Sequence, residues 1–284
     1  MNARIPRPVA PPATWTTGYV EANGIRVHWT RTGGDLPPLV LAHGFTDDGG
    51  CWSPVARALA ADWDVVMLDA RGHGLSAAPA HGYDRLTMAA DLVAACAALG
   101  VERPALLGHS MGAVTALVAA GRRPGWVRAV IAEDPPGFWY DEAPGGPARD
   151  AAAVRREIAA RRRLPRQALL ALGRAEGPTW SDEELAAWVG AKRRVRPSAA
   201  EIFDPVSRGH VDWGSIFAAI DVPILLIGGD PACGSLLAEP AARALLDAVP
   251  GARLVRIAGA GHSVRRDAPE RYLDLVRSEL AARR

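Results

Sequence analysis

The stretch Gly108-His109-Ser110-Met111-Gly112 sets a serine between two glycines, each two positions away. That spacing suits a sharp turn from a strand into a helix, with the hydroxyl lifted clear of the backbone. The glycines leave no Cβ to crowd the turn, and the serine takes a backbone conformation that costs energy. A serine hydroxyl is a weak nucleophile at neutral pH and needs a base beside it. His262 closes the small-residue stretch Gly259-Ala260-Gly261-His262. Its imidazole, with an ordinary pKa of about 6.5, can take and return a proton. Serine and histidine together would carry out nucleophilic acyl transfer. A carboxylate that holds the imidazole would complete the set, and two are candidates. Asp230 follows the run Pro223 to Gly229, and Asp134 follows the run Val127 to Ala132.

The elements that must position these residues are readable as apolar runs. Pro104-Ala105-Leu106-Leu107 leads into the serine turn, and the Ala/Leu/Val-rich Met111 to Ala120 leaves it as a buried helix. Leu39-Val40-Leu41-Ala42 leads into His43-Gly44-Phe45, where a tight turn can aim a backbone N–H at a developing oxyanion. Val65-Val66-Met67-Leu68 leads into Asp69-Ala70-Arg71-Gly72-His73-Gly74-Leu75-Ser76. Tyr19 to Thr30 reads as a hairpin turning at Asn23-Gly24. Helices are expected from about Trp52 to Ala61 and from about Asp84 to Leu99. After Asp134 the strand–helix alternation stops, and it resumes at Val222 to Ile227. The intervening Pro135 to Ser215 is rich in Ala, Arg and Leu without a strand-like run, as an inserted helical cap would be. Alternating strands and helices require a mostly parallel sheet, and ligands bind at the carboxyl ends of its strands. Four stations lie there: the serine turn, His43-Gly44-Phe45, the Asp69 to Ser76 stretch, and the His262 loop after the strand-like Arg253 to Ile257.

In this order, the stations resemble the α/β-hydrolase superfamily over nearly the whole chain, from about Gly18 to about Leu280. The resemblance implies an α/β fold, with a mostly parallel central sheet flanked by helices. The core would be residues 1–134 and 216–284, with 1–14 a loose N-terminal arm and 135–215 the cap. It implies Ser110 as nucleophile and His262 as base. It makes Asp230 the expected acid, although the loop before it looks one residue short, and leaves Asp134 as the alternative that some relatives use. The backbone N–H groups of Phe45 and Met111 would form the oxyanion hole. Asp69, Arg71 and His73 would form a structural loop. His43, His109, Trp139, Trp180 and Trp213 are candidates for the substrate pocket. His43 also reads as a brace for its turn, His109 as packing, and Trp188 as a further cap aromatic.

The activity so implied is hydrolysis of carboxylic esters or lactones of small to medium apolar substrates through an acyl-serine intermediate. Carbon–carbon bond hydrolysis and cofactor-free, haloperoxidase-like perhydrolysis are alternatives on the same machinery. A non-enzymatic ligand receptor is a third. Dehalogenases and epoxide hydrolases of this fold place an aspartate at the turn, so Ser110 argues against both.

Composition sets the bounds. The 284 residues are enough for one α/β core and an insertion, and 49% are apolar. No apolar run is long enough to span a membrane, and the net charge of +2 gives no sign of nucleic-acid binding. Met1 to Thr14 lacks the apolar core of a signal peptide. Cys51, Cys96 and Cys233 are odd in number and widely spaced, which suits a reducing, cytoplasmic setting. No Cys/His cluster has metal-ligand spacing and no Gly-rich loop has a nucleotide-binding pattern, so no metal and no cofactor are expected. The expected partner is a small-molecule substrate. Lys192 is the only lysine in an arginine-rich chain. Arg149, Arg155, Arg156, Arg161, Arg162, Arg163 and Arg166 read as a solvated helix face with snorkelling stems, or as an attractor for an anionic substrate.

Overall fold

A computed structural model describes residues 15–140, 149–207 and 209–283. The expected N-terminal arm, residues 1–14, lies outside the described residues. The strands are β1 (Thr16–Ala22), β2 (Ile25–Arg31), β3 (Pro38–Ala42), β4 (Asp64–Leu68), β5 (Ala105–His109), β6 (Ala129–Glu133), β7 (Ile224–Gly228) and β8 (Arg253–Arg256). They form one sheet in the order β1-β2-β4-β3-β5-β6-β7-β8. β1 and β2 are an antiparallel hairpin, and β2 pairs antiparallel with β4. The remaining pairings are parallel. The hairpin turns at Asn23 and Gly24, both with positive φ (49° and 76°), the geometry that an Asn-Gly pair supplies cheaply.

The helices are α1 (Ser53–Leu59), α2 (Arg85–Ala98), α3 (Met111–Arg122), α4 (Ala151–Arg163), α5 (Arg166–Glu176), α6 (Asp182–Arg194), α7 (Trp213–Ala218), α8 (Glu239–Ala248), α9 (Val264–Asp267) and α10 (Pro269–Ala281). Strand side chains alternate between two faces, and both faces are covered. Val40, Val66, Leu106, Val130 and Leu226 pack with Leu92, Leu117, Phe217 and Leu245 on one side. Leu39, Leu41, Met67, Leu107, Ile131 and Leu225 pack with Leu59, Tyr272, Val276 and Leu280 on the other. Burial on both faces is why the strands read as continuous apolar runs rather than as alternating patterns.

Between β6 and β7 the chain leaves the sheet and forms α4, α5, α6 and the 3₁₀ turn Pro197–Phe203. Local rules explain these helices. Asp150 caps α4 by accepting from the Ala152 and Ala153 N–H groups, and Ser181 caps α6 by accepting from Glu184 N. α6 carries Asp182, Glu183 and Glu184 in its first turn and Lys192, Arg193 and Arg194 in its last, which suits the helix dipole at both ends. Leu169, Trp180, Leu185, Trp188 and Val189 form a small core of their own. Contacts to the rest of the chain are apolar, where Tyr83 and Phe45 pack with Val154, Ile158 and Val195, and also polar and directional. Arg194 pairs with Asp48 at 2.6 Å, Arg57 pairs with Glu183, and Arg196 N donates to Gly72 O at 2.7 Å. α7, by contrast, packs on α3, where Gly121 allows the approach. A Cβ on Gly121 would lie 2.4 Å from Ile216 O.

Candidate active site

Ser110 sits between β5 and α3 with φ 51° and ψ −115°. For a residue with a Cβ this is strained backbone, costing of order 1–3 kcal/mol. The two flanking glycines are required by contact. A Cβ on Gly108 would meet Gly112 O at 2.3 Å, and one on Gly112 would meet Ala42 O at 2.1 Å. The turn is also tied to the neighbouring strand, because Ser110 N donates to Glu133 O at 2.9 Å. Met111 opens α3, so its N–H has no partner within the helix.

Ser110 and His262 line one cavity of about 470 Å³ at the carboxyl ends of the strands. His262 Nδ1 donates to Asp134 Oδ2 at 2.7 Å. This leaves Nε2 as the nitrogen available to a serine. Asp134 is fully buried. It also accepts from Leu236 N at 2.8 Å, from Gly229 N at 3.3 Å and from the Ser235 hydroxyl. A buried carboxylate with four donors is fully satisfied and fixed in place.

The carboxylate beside His262 is therefore Asp134, and the expectation for Asp230 is corrected. Asp230 caps the short turn Pro231–Cys233, its carboxylate accepting from Ala232 N at 2.9 Å. Gly229 lies flat against the histidine loop, where a Cβ would meet Gly261 O at 2.2 Å. The end of β7 thus offers the site a backbone N–H, and the carboxylate comes from the end of β6.

The structure also sorts the pocket candidates. Trp180 lines the cavity and donates its Nε1–H to Asp267 at 2.8 Å, and Trp188 lines it as well. Trp139 and Trp213 do not line it. They pack edge-on or tilted against each other and Phe217 beside α7, and Trp139 Nε1 donates to Ala241 O at 2.7 Å. His43 is buried as a brace: Nδ1 donates to Gly44 O at 2.8 Å and Nε2 accepts from Ala70 N at 2.9 Å. His109 reaches the cavity wall, and its Nε2 donates to His262 O at 3.0 Å. That leaves its buried Nδ1 without a partner. Burial, with Arg265 and His262 nearby, holds the His109 imidazole well below its usual pKa, so it stays neutral. Phe45 and Met111 both line the cavity.

Sequence reasoning missed a buried ion network beneath the site. Asp47 binds Lys192 at 3.0 Å, Arg265 at 3.1 Å and Arg266 at 2.9 Å. Arg265 continues to Glu133 at 3.3 Å and Arg266 to Glu184 at 3.0 Å. Burial alone would raise the Asp47 carboxyl pKa, but Arg266, Lys192 and Arg265 hold it well below the usual carboxylate range. Burial raises the pKa of Glu133, and Arg265 offsets part of that. The network ties the loop after β3, the end of β6, the histidine loop and α6 together. Two signals pointed to it: the Arg265-Arg266 pair directly after the histidine loop, and the single lysine.

Of the arginine run, Arg149 and Arg161 reach the cavity wall, where both pair with Glu157, at 3.3 Å and 3.1 Å. Arg155 and Arg156 are exposed. Among the described residues, no group of His, Cys, Asp and Glu could hold a metal ion, and no helix is long and apolar enough to cross a membrane.

A mostly parallel sheet that presents a strained serine turn, and a buried carboxylate holding an imidazole, at one rim defines a hydrolase architecture. The sequence profile of the alpha/beta hydrolase fold matches residues 37–266, and the chain belongs to that family. It is 35% identical over 224 residues to the N-formylmaleamate deformylase of Pseudomonas putida, covering 74% of this chain and 76% of that one. A crystal structure of an esterase from Rhodococcus sp. ECU1013 superposes with a TM-score of 0.77 at 26% identity, over 95% of this chain and 100% of the other. The structure of an E-2-(acetamidomethylene)succinate hydrolase shares the fold, with a TM-score of 0.77 at 23% identity over 94% and 99% of the two chains. The chain is an enzyme of the hydrolase class.

Proposed function

We propose that this chain is a serine hydrolase that cleaves carboxylic esters or lactones of small to medium apolar substrates through an acyl-serine intermediate. The observation that carries this reading is the pair of buried Asp134 and half-buried His262, which opens onto the same cavity as Ser110. In this mechanism Ser110 Oγ attacks the substrate carbonyl while His262 Nε2 takes its proton. Asp134 holds the imidazole tautomer and stabilises the imidazolium. The Met111 and Phe45 N–H groups stabilise the oxyanion. Collapse of the tetrahedral intermediate expels the alcohol, which takes the proton back from His262. Water then repeats the cycle on the acyl-serine. The α4–α6 insertion serves as the cap: Trp180, Trp188, Val154 and Ile158 give the cavity an apolar wall, which favours apolar groups and excludes water.

A second reading, amide hydrolysis on the same relay, is supported by the similarity to a deformylase. Here the leaving nitrogen takes the proton from His262.

The test is a panel of p-nitrophenyl esters of rising chain length beside N-formyl and N-acetyl amides. Ser110→Ala should lower kcat by about 10⁴ to 10⁶ on whichever class is turned over. A fluorophosphonate should label the wild type at Ser110 alone. Robust turnover in the alanine variant, or labelling elsewhere, overturns the serine reading. Higher kcat/KM on esters than on amides supports the first reading, and the reverse supports the second. If Arg149 and Arg161 attract anionic substrates, the preference for charged members of the panel will weaken as salt rises.

A further inference from the structure

The residue before the buried ion network in the chain is itself unusual. Thr46 has φ 66°, a left-handed conformation that a β-branched residue rarely takes. It directly follows Phe45, whose N–H is one of the two proposed oxyanion donors. Within this turn, Asp47 N donates back to Gly44 O at 3.1 Å. The other grip comes from across the cavity. Lys192, near the end of α6, donates from Nζ to Thr46 O at 3.2 Å and to Asp47 Oδ1 at 3.0 Å. Its ammonium stands over the Trp188 ring, 4.7 Å from the centroid, and its side chain is only 5% exposed.

We propose that Lys192 is a positioning residue, which clamps the strained Phe45–Asp47 turn from the helical insertion and so aims the Phe45 N–H at the oxyanion. Three observations agree. A carbonyl–ammonium bond to Thr46 holds the residue next to the donor, where a small rotation of the peptide would swing the N–H away. Lysine suits the task because a single ammonium on a slim stem can reach a carbonyl and a carboxylate at once, while a planar guanidinium demands more room. And in a chain that uses arginine everywhere else, the one lysine stands at this point. The insertion then helps to complete the catalytic site besides walling the cavity.

The inference rests on the serine-hydrolase reading, and the experiment separates the two. Lys192→Met removes the donor at matched length. Arg194→Met severs the neighbouring tie of α6 to the core, the Arg194–Asp48 pair, without touching Thr46. Each variant is compared with wild type for kcat and KM on an acetate ester, and for affinity to a trifluoromethyl ketone, whose serine adduct carries an oxyanion. Lys192→Met should lower kcat about 10-fold to 100-fold, with KM little changed, and should weaken ketone binding by a similar factor. That is up to the scale of losing one oxyanion donor. Arg194→Met should leave kcat within about threefold. Equal loss in both variants assigns the effect to helix docking and overturns the proposal, as does an unchanged kcat in Lys192→Met. If Lys192→Met does not fold, Lys192→Gln carries the same comparison, with a smaller drop expected and an unchanged kcat again overturning it. A wild type that neither hydrolyses the ester nor binds the ketone overturns the serine reading itself, and this inference with it.

Discussion

His262 meets its carboxylate at the end of β6, and a single atom exchange probes the consequence. Asp134→Asn keeps the shape but offers an amide in place of the acceptor, so the imidazole loses its fixed tautomer. We expect kcat to fall by up to about 10⁴, while Asp230→Asn, which alters only a turn cap, stays within about threefold of wild type. Steady-state kinetics on one ester decide it, and a dead Asp230→Asn beside a normal Asp134→Asn would return the role to the later strand. The serine turn was legible because two glycines are needed for steric reasons at fixed distances from Ser110. The acid was not. A carboxylate after a strand can point into the site or cap the next turn, and Pro231 with Ala232 N commits Asp230 to the second. Asp134 reaches His262 from a left-handed backbone, φ 41°, which no spacing rule announces.

At the scale of elements, the contact between α3 and β3 has the least slack. Gly112 lets the first turn of α3 press against the end of β3, with its missing Cβ 2.1 Å from Ala42 O. Backbone cannot swing aside as a side chain can. Gly112→Ala should therefore destabilise the fold by about 3 kcal/mol or more, read as a fall in the urea midpoint. Gly100→Ala, where nothing lies within 4 Å, should cost less, its penalty being the positive φ alone. An unchanged midpoint for Gly112→Ala would mean that α3 can retreat from the sheet. Strand–helix alternation was readable from apolar runs because parallel strands bury both faces. The tryptophans were harder. Trp139 and Trp213 fill the seam beside α7, whereas Trp180 and Trp188 face the cavity, and one apolar residue type serves both places equally well. Buried charge pairs such as Asp47–Lys192 join segments far apart in the chain, so a lone lysine or an arginine pair marks one end of such a contact without naming the other.

The whole molecule carries a pH dependence set by histidines locked in their neutral form. Burial, with His43 next in effect, lowers the pKa of His73 to about 3, and burial likewise leads the lowering at His109. Each has one buried ring nitrogen without a partner, so a second proton would have nowhere to bond. The unfolded chain binds those protons near pH 6.5 and the folded one does not. Stability is thus fully present above about pH 6.5 and declines as pH falls below it. The slope approaches about 1.4 kcal/mol per pH unit for each histidine. Urea midpoints between pH 7 and pH 5 should drop accordingly, and His73→Asn should remove about half of the slope. A flat profile would show that the folded protein accepts both protons.

The proposed relay is also ordered along the chain: nucleophile after β5, acid after β6, base only after β8. A ribosome makes the first two long before the third. Until the histidine loop follows, the Ser110 hydroxyl has no base beside it and is no more reactive than any other alcohol. On the proposed relay, cleaving power waits for the histidine loop, the last of the three stations along the chain.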